Sequence, residues 1–295
     1  MSKQIYEMVT NVVISMLEAG VVPWRQPWRN GGSVNYVTQR PYRGINAFML
    51  QPFGGEFATF KQINEAGGKV KKGAKGQIVV FWKFLREIDK DSGEPTGKQI
   101  PMLRFYKVWE INTQCEGLKS RRDVTAIQEH NPIEQAERIV GNMPNKPLVR
   151  HQSGKAVYNK LSDIVTVPPL GDYTVPAEYY STLFHELAHA TGHENRLNRS
   201  GITQTAVFGD PVYSQEELVA EFASAMLCGV AGIDNDTIAN SASYIGGWLR
   251  ALKDDKTMAI RAAGQAQKAA DYILGVSHSE EVEHDDDAAE HNGAA

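Results

Sequence analysis

The residues best placed to do chemistry are His185, Glu186 and His189, in the run His-Glu-Leu-Ala-His. On an α-helix, four residues turn the side-chain direction by about 400°, so the two imidazoles project side by side and can meet one cation. Glu186 then points toward the position a water would take. A hydrolytic metal site of this kind needs a third protein ligand and one open position. The longer motif that adds a third histidine has Gly192 at the right step but Asn195 where that histidine would stand, and His193 is off register. The remaining donors are Glu216, Glu217 and Glu221, in Ser-Gln-Glu-Glu-Leu-Val-Ala-Glu. Glu217 and Glu221 share a helical face. That assigns Glu217 as the ligand and Glu221 as the acid behind it, hydrogen-bonded to a ligand histidine to set its tautomer. The competing reading makes Ser214 and Glu217 a capping box and Glu221 a surface charge. Two histidines and a glutamate call for one divalent cation, zinc by donor type, with manganese or another ion left open. Such a cation acidifies water and polarises a carbonyl while Glu186 takes the proton, which is the chemistry of amide hydrolysis. A donor to the developing charge is also expected, from Tyr244 or Tyr213.

These groups need rigid elements beneath them. Tyr179, Leu183, Phe184 and Leu187 fall at helical spacing after Pro176 and before Gly192, with Thr174 as cap, and predict a helix over 176–191. Leu218, Phe222 and Met226 predict another over 214–229, and two more are expected over 236–253 and 256–274. A short helix over 132–140 and strands at 148–151 and 155–158 precede them. In the first half, Ile5, Met8, Val12 and Met16 predict a helix over 3–19, ended by Gly20 and Pro23. Gln77 to Phe84 and Met102 to Ile111 read as strands, joined by a long mobile loop from Arg86 to Pro101. The fold class is therefore α+β with two domains: a mixed α/β domain over 1–125 and a mainly helical domain over 126–276. The linker falls within 121–130. Residues 277–295, rich in Asp and Glu and free of Lys and Arg, form a tail expected to be disordered. Its His278, His284 and His291 are read as solvated rather than metal-binding.

A chain of 295 residues, 42% of them hydrophobic, can build two ordinary cores. No apolar run is long enough to span a bilayer, and the amino terminus lacks the basic flank of a secretory signal. A cytoplasmic protein with no membrane partner is expected. Cys115 and Cys228 are far apart with no metal spacing, so reduced thiols are expected and the metal site must rest on His and Glu. The net charge of −4 conceals a split. Residues 1–125 hold 19 Lys/Arg against 11 Asp/Glu, whereas residues 126–295 hold 12 against 24. The basic half suits an anionic partner. Rings and cations interleave there, at Trp24, Arg25, Trp28 and Arg29, then at Tyr42, Arg43 and Asn46, and beside the cluster Lys69, Lys71, Lys72 and Lys75. Bases stack on rings and cations neutralise phosphates, so single-stranded DNA is the expected partner. The structural alternative is that Trp24 and Trp28 fill the core and the lysines coat a solvated loop.

Several of these residues also carry a resemblance. Pro23-Trp24, Asn35, Tyr42-Arg43-Gly44-Ile45-Asn46, Gly67-Gly68 with Val70, Lys72 and Gly73, Phe184 to His193, Arg196-Leu197, Arg199, Tyr244-Ile245 and Trp248 resemble the ArdC antirestriction proteins of conjugative plasmids. The resemblance covers nearly the whole chain except the acidic tail. It implies an amino-terminal single-stranded DNA-binding domain, similar to one attached to certain plasmid primases, joined to a zincin-like metallopeptidase domain. It also implies protection of incoming plasmid DNA from host restriction, with the metal motif on His185, Glu186 and His189 and the acidic helix on Glu217 and Glu221. Three functional classes are expected to compete. The first is a DNA-binding antirestriction factor; the second is a protease acting on a restriction enzyme or another host protein. The third and weakest is an acidic DNA mimic.

Overall fold

Ile5, Val9, Val13 and Leu17 recur at helical spacing and are all buried, forming the inner stripe of α1 (Ser2–Glu18). The first half continues with β1 (Val34–Asn35), α2 (Ile45–Leu50), β2 (Glu56–Thr59), α3 (Phe60–Glu65), β3 (Lys69–Val70), β4 (Gln77–Ile88), β5 (Pro95–Glu110), α4 (Ile111–Gln114) and β6 (Cys115–Glu116). The second half contributes α5 (Pro132–Asn142), β7 (Leu148–His151), β8 (Val157–Asn159), β9 (Ile164–Val167), α6 (Pro176–Ala190), α7 (Ser200–Thr203), α8 (Pro211–Ala231), α9 (Ala242–Asp254) and α10 (Met258–Leu274). The structure, a computed structural model, describes residues 2–25, 32–88, 94–122, 131–203, 211–233 and 242–277. Trp28, Arg29, most of the expected linker and the acidic tail with its histidines lie outside the described residues, as do the side chains of Arg25 and Tyr213.

Strands β1, β2, β5 and β4 form one sheet in that order, and β4 and β5 pair antiparallel from Gln77↔Val108 to Arg86↔Gln99 and again at Ile88↔Pro95. Of the long loop expected between Arg86 and Pro101, residues 86–88 and 95–101 are strand. Its polar residues gave no apolar alternation, yet cross-strand backbone pairing needs none. Strand β9 was not anticipated. It is a β-branched run lying between β7, parallel to it, and β8, antiparallel to it. β4 is an edge strand, and a side chain engages its outer edge at Val80. Asn46 Nδ2 donates to the Val80 carbonyl at 2.7 Å, and the Val80 N–H donates to Asn46 Oδ1 at 2.8 Å.

The helical half is built around α6, α8 and α10. α6 is buried on nearly every side, from Tyr179 and Leu183 to Glu186 and His189. α10 offers Ala259, Ala262, Ala263, Ala266 and Ala270, all buried, and these small side chains allow close helix approach. The largest core runs through both halves, joining Ile5, Val9, Trp24 and Phe48 to Phe184, Phe222, Ala263 and Ile273. Trp24, expected to offer a stacking platform, is 1% exposed. Its ring meets Phe222 at 4.9 Å and Trp248 at 6.2 Å, and its Nε1 donates to the Tyr244 hydroxyl at 3.2 Å. A large aromatic ring gains more from this apolar contact than from solvent, and here the structural alternative holds.

The run Tyr42 to Asn46 is likewise structural. Arg43 pairs with Asp271 on α10, and the Gly44 N–H donates to Gln267 Oε1 at 2.9 Å. Gly44 sits at φ 56°, ψ −135°, a conformation that side chains rarely adopt. Tyr42 packs edge-on against Phe57 at 6.2 Å, and Asn46 is committed to Val80. Arg43 and Gly44 thus join the first half to α10, while Tyr42 and Asn46 make their contacts within the first half. Lys71 donates to the Thr113 carbonyl at 2.9 Å, while Lys69, Lys72 and Lys75 remain on the surface.

Candidate metal centre

Helix α6 is fixed from three sides before it presents any ligand. The Tyr180 hydroxyl donates to Glu137 on α5 at 3.0 Å, Ser224 Oγ on α8 donates to the Ser181 carbonyl at 2.8 Å, and the Tyr179 hydroxyl meets His151 Nε2 on β7 at 2.9 Å. Pro176 opens the helix as expected, but the N-cap is Val175, with no side-chain cap, and not Thr174. At the other end Arg196 bonds the Ala190 carbonyl at 2.9 Å and the Asp163 carboxylate at 2.7 Å, tying the helix terminus to the β8–β9 turn. Arg196 holds the Asp163 carboxyl below its usual range, despite partial burial. A depressed folded-state pKa stabilises fully above the unfolded value, near ~3.9, and that stabilisation is lost as pH falls through the folded value. Asp163→Asn is therefore expected to flatten the acid limb of a stability-versus-pH curve measured by denaturant unfolding, with little change of slope near neutrality.

His185 Nε2 and His189 Nε2 lie 3.2 Å apart. The Glu217 carboxylate straddles them, one oxygen 3.6 Å from His185 Nε2 and the other 3.6 Å from His189 Nε2. Donors on a tetrahedral cation with bonds of about 2.0–2.2 Å stand roughly 3.3–3.6 Å from one another, close to the separation of the two ring nitrogens and of each from its nearer Glu217 oxygen, so the three groups can converge on one divalent cation. The electrostatics agree. Burial works against a charged His185 ring, but the contact with Glu217 and the charges of Glu221, Glu186 and Glu217 outweigh it and raise the ring to about 9. The same surrounding carboxylates would favour a cation, whose binding would displace the ring proton. Among the described residues, His185, His189 and Glu217 form the group of at least three donors converging within 4.8 Å.

The acid on His189 is Glu216. Its Oε1 lies 3.3 Å from His189 Nδ1, and both side chains are buried. Arg199 clasps that carboxylate, donating from Nε to Oε2 at 3.0 Å and from Nη2 to Oε1 at 2.6 Å. Burial resists the charge on Glu216, but the bonds from His189 and Arg199 prevail and lower its pKa. An ionised carboxylate only accepts, so the ring proton of His189 belongs on Nδ1 and its Nε2 lone pair faces the site. The hydrogen-bonding role expected of Glu221 thus falls, for His189, to Glu216, while Glu221 acts on His185 through its charge. The capping-box alternative fails because α8 begins at Pro211, which places Ser214 inside the helix.

Two glycines make room for this pair. A Cβ on Gly192 would lie 3.0 Å from Arg199 Nη2 and 2.5 Å from Ile202 Cγ1, and one on Gly201 would lie 2.9 Å from Glu216 Oε2. Arg199 also donates to Thr191 Oγ1 at 2.6 Å and to the Ala188 carbonyl at 2.7 Å, so its charge is satisfied beneath the end of α6. Tyr173, just ahead of α6, has its phenol raised by burial and then by nearby acids that include Glu186. Sequence reasoning passed over it. Tyr244, weighed as a donor, instead accepts from Trp24 in the core.

A two-histidine, one-glutamate cluster on packed helices, behind a mixed α/β half, defines a zincin-like metallopeptidase fold with an appended domain. The profile of the zincin-like metallopeptidase family matches residues 134–265, and that of the N-terminal domain of anti-restriction factor ArdC matches residues 3–109. Two crystal structures of the antirestriction protein ArdC from plasmid R388 are similar. The metal-free form has a TM-score of 0.71 and 36% identity, over 91% of this chain and 96% of that one. The Mn(II)-bound form has a TM-score of 0.70 and 34% identity, over 92% and 97%. The chain belongs to the ArdC family. An uncharacterized protein of Sinorhizobium fredii, y4eC, is 31% identical over 91% of each chain. A DNA primase TraC of Escherichia coli is 35% identical over 92% of this chain, which spans only 20% of that primase. Among the described residues, no helix is long and apolar enough to cross a membrane.

Proposed function

We propose that this protein is an antirestriction factor of conjugative plasmids that binds single-stranded DNA and protects incoming DNA from host restriction, acting in the cytoplasm. The observation that carries this reading is the likeness to R388 ArdC along nearly the whole of both chains, at 36% identity. The basic balance of residues 1–125 supports the choice of an anionic partner. His185, His189 and Glu217 would hold the cation. Zinc suits the nitrogen-rich donor set, and the Mn(II)-bound form of the R388 protein supports manganese as the alternative.

A second reading is favoured by the intact constellation around Glu186. This carboxylate is 8% exposed and close enough to His185 to raise its pKa. When bound, the cation would supply Lewis acidity toward a peptide carbonyl. Glu186 would accept a proton and return it to the leaving amine, and the protein would cleave a restriction component or another host protein.

Glu186→Ala separates the two readings. The substitution removes the base and leaves His185, His189 and Glu217 in place. If proteolysis is dispensable, the variant protects transferred DNA as well as the unaltered protein in a restriction-proficient recipient. Loss of protection with single-strand binding preserved would establish the protease reading instead. Binding to a labelled oligothymidylate is also expected to fall by at least tenfold between about 50 and 200 mM salt, because cations displaced from phosphates return to them. Binding indifferent to salt would overturn the phosphate argument.

A further inference from the structure

We propose that the single strand lies along one face of the β4–β5 hairpin, on a strip formed by Phe60, Trp109, Lys107 and Phe105 and continuing toward Trp82. This rests on the single-strand-binding reading above and gives it a location that the sequence motifs did not. Three of the residues marked by those motifs are engaged elsewhere, since Trp24 is in the core, Arg43 is paired with Asp271, and Asn46 is bonded to Val80.

The strip follows from the register. Val80 opposes Phe105 and Trp82 opposes Leu103, so even-numbered β4 residues and odd-numbered β5 residues share a face. Along β5 that face carries Phe105, Lys107 and Trp109 in succession, about 6.8 Å apart along the strand. Trp82 is the diagonal neighbour of Phe105 across the ladder. Val80 and Leu103, on the same face, are covered by the main core, which anchors the hairpin and leaves rings showing beside them. Phe105 is 41% exposed, Trp82 42% and Phe60 39%. Rings of this size are costly to leave in water.

The ring at the open end of the hairpin is preorganised. Trp109 Nε1 donates to the Ala74 carbonyl at 3.3 Å, and a Cβ on Gly76 would lie 2.7 Å from its ring. The indole therefore lies close over Gly76. Phe60 meets its edge at 6.1 Å. Lys75, immediately before Gly76, and Lys72 are exposed beside it.

Charge selects the occupant. From Gly76 to Arg86 and from Gln99 to Trp109, the positions on this face include the cations Arg86 and Lys107 and no carboxylate. Residues 60–122 as a whole hold 14 Lys/Arg against 7 Asp/Glu. Exposed rings alternating with cations, without acids among them, fit stacked bases with a phosphate backbone alongside.

The test uses the full chain and a labelled oligothymidylate, with binding read by fluorescence anisotropy. Phe60→Ala combined with Phe105→Ala is expected to lower affinity by at least tenfold, and Lys107→Glu by a similar factor with a shallower salt dependence. All three side chains are exposed, so an unchanged thermal unfolding curve is expected and verifies folding. Lys3→Glu on α1 makes the same charge change elsewhere and is expected to have a small effect. If the unaltered protein binds and the strip variants bind equally well, or Lys3→Glu weakens binding as much as Lys107→Glu, the location is wrong and the single-strand reading survives. Failure of the unaltered protein to bind overturns both.

Discussion

Glu217→Ala is expected to lower affinity for zinc and for manganese by at least a hundredfold, measured by calorimetric titration of metal-stripped protein. His185→Ala and His189→Ala should do the same. The argument is geometric. The Glu217 carboxylate faces both ring nitrogens, which lie 3.2 Å apart, with a different oxygen 3.6 Å from each, so the three groups converge where a small divalent ion fits. Glu186→Ala should leave affinity within a few-fold, because its expected partner is water rather than the cation. Glu216→Ala falls between these, at about ten- to a hundredfold, since it touches His189 Nδ1 and acts by orienting that ring. Equal effects at Glu216 and Glu217 would show that the donor assignment is wrong. A Glu217→Ala protein with undiminished affinity would move the site elsewhere.

Much of this centre could be read from spacing because spacing within one helix is a local property. His185 and His189 must share a face wherever α6 is placed, and Gly192 and Pro176 bound the helix by chemistry that needs no tertiary context. The division of labour among Glu216, Glu217 and Glu221 was not legible in the same way. All three lie on α8, and which of them meets which histidine depends on the rotation of α8 against α6, set by the packing of Phe222, Leu218 and the α10 alanines. The missing piece was Arg199, whose setting in Asn195-Arg196-Leu197-Asn198-Arg199-Ser200 reads as surface although its side chain is buried. A buried arginine needs a buried acid, and Glu216 is the one of the three α8 glutamates that meets it. The exposure of the residues in the DNA motifs was not legible for a related reason. An aromatic residue beside a cation looks the same in sequence whether it faces solvent, as Phe105 does beside Lys107, or a core, as Trp24 does. Only the pairing of β4 with β5 tells the faces apart.

The buried ion pair gives the second large effect. Arg199→Met is expected to destabilise the protein by about 3–5 kcal/mol in denaturant unfolding, because it leaves the Glu216 carboxylate buried without its principal cation. Both side chains are only 5% exposed, so water cannot take over. Removing both charges tells stability apart from metal binding. In Arg199→Met combined with Glu216→Met, no unpaired charge remains, and most of the lost stability should return. Metal affinity should not return, since His189 Nδ1 still lacks the acid that fixes its proton. The flanking glycines make the same point by steric means. Gly192→Ala would press a methyl against Ile202 and the Arg199 guanidinium, at a cost of about 1–3 kcal/mol, and should lower metal affinity to the extent that Arg199 shifts Glu216. If the double substitution restored stability and metal affinity together, the pair would be part of the scaffold alone. If it restored stability but not affinity, Arg199 and Glu216 would exist to aim His189 at the cation.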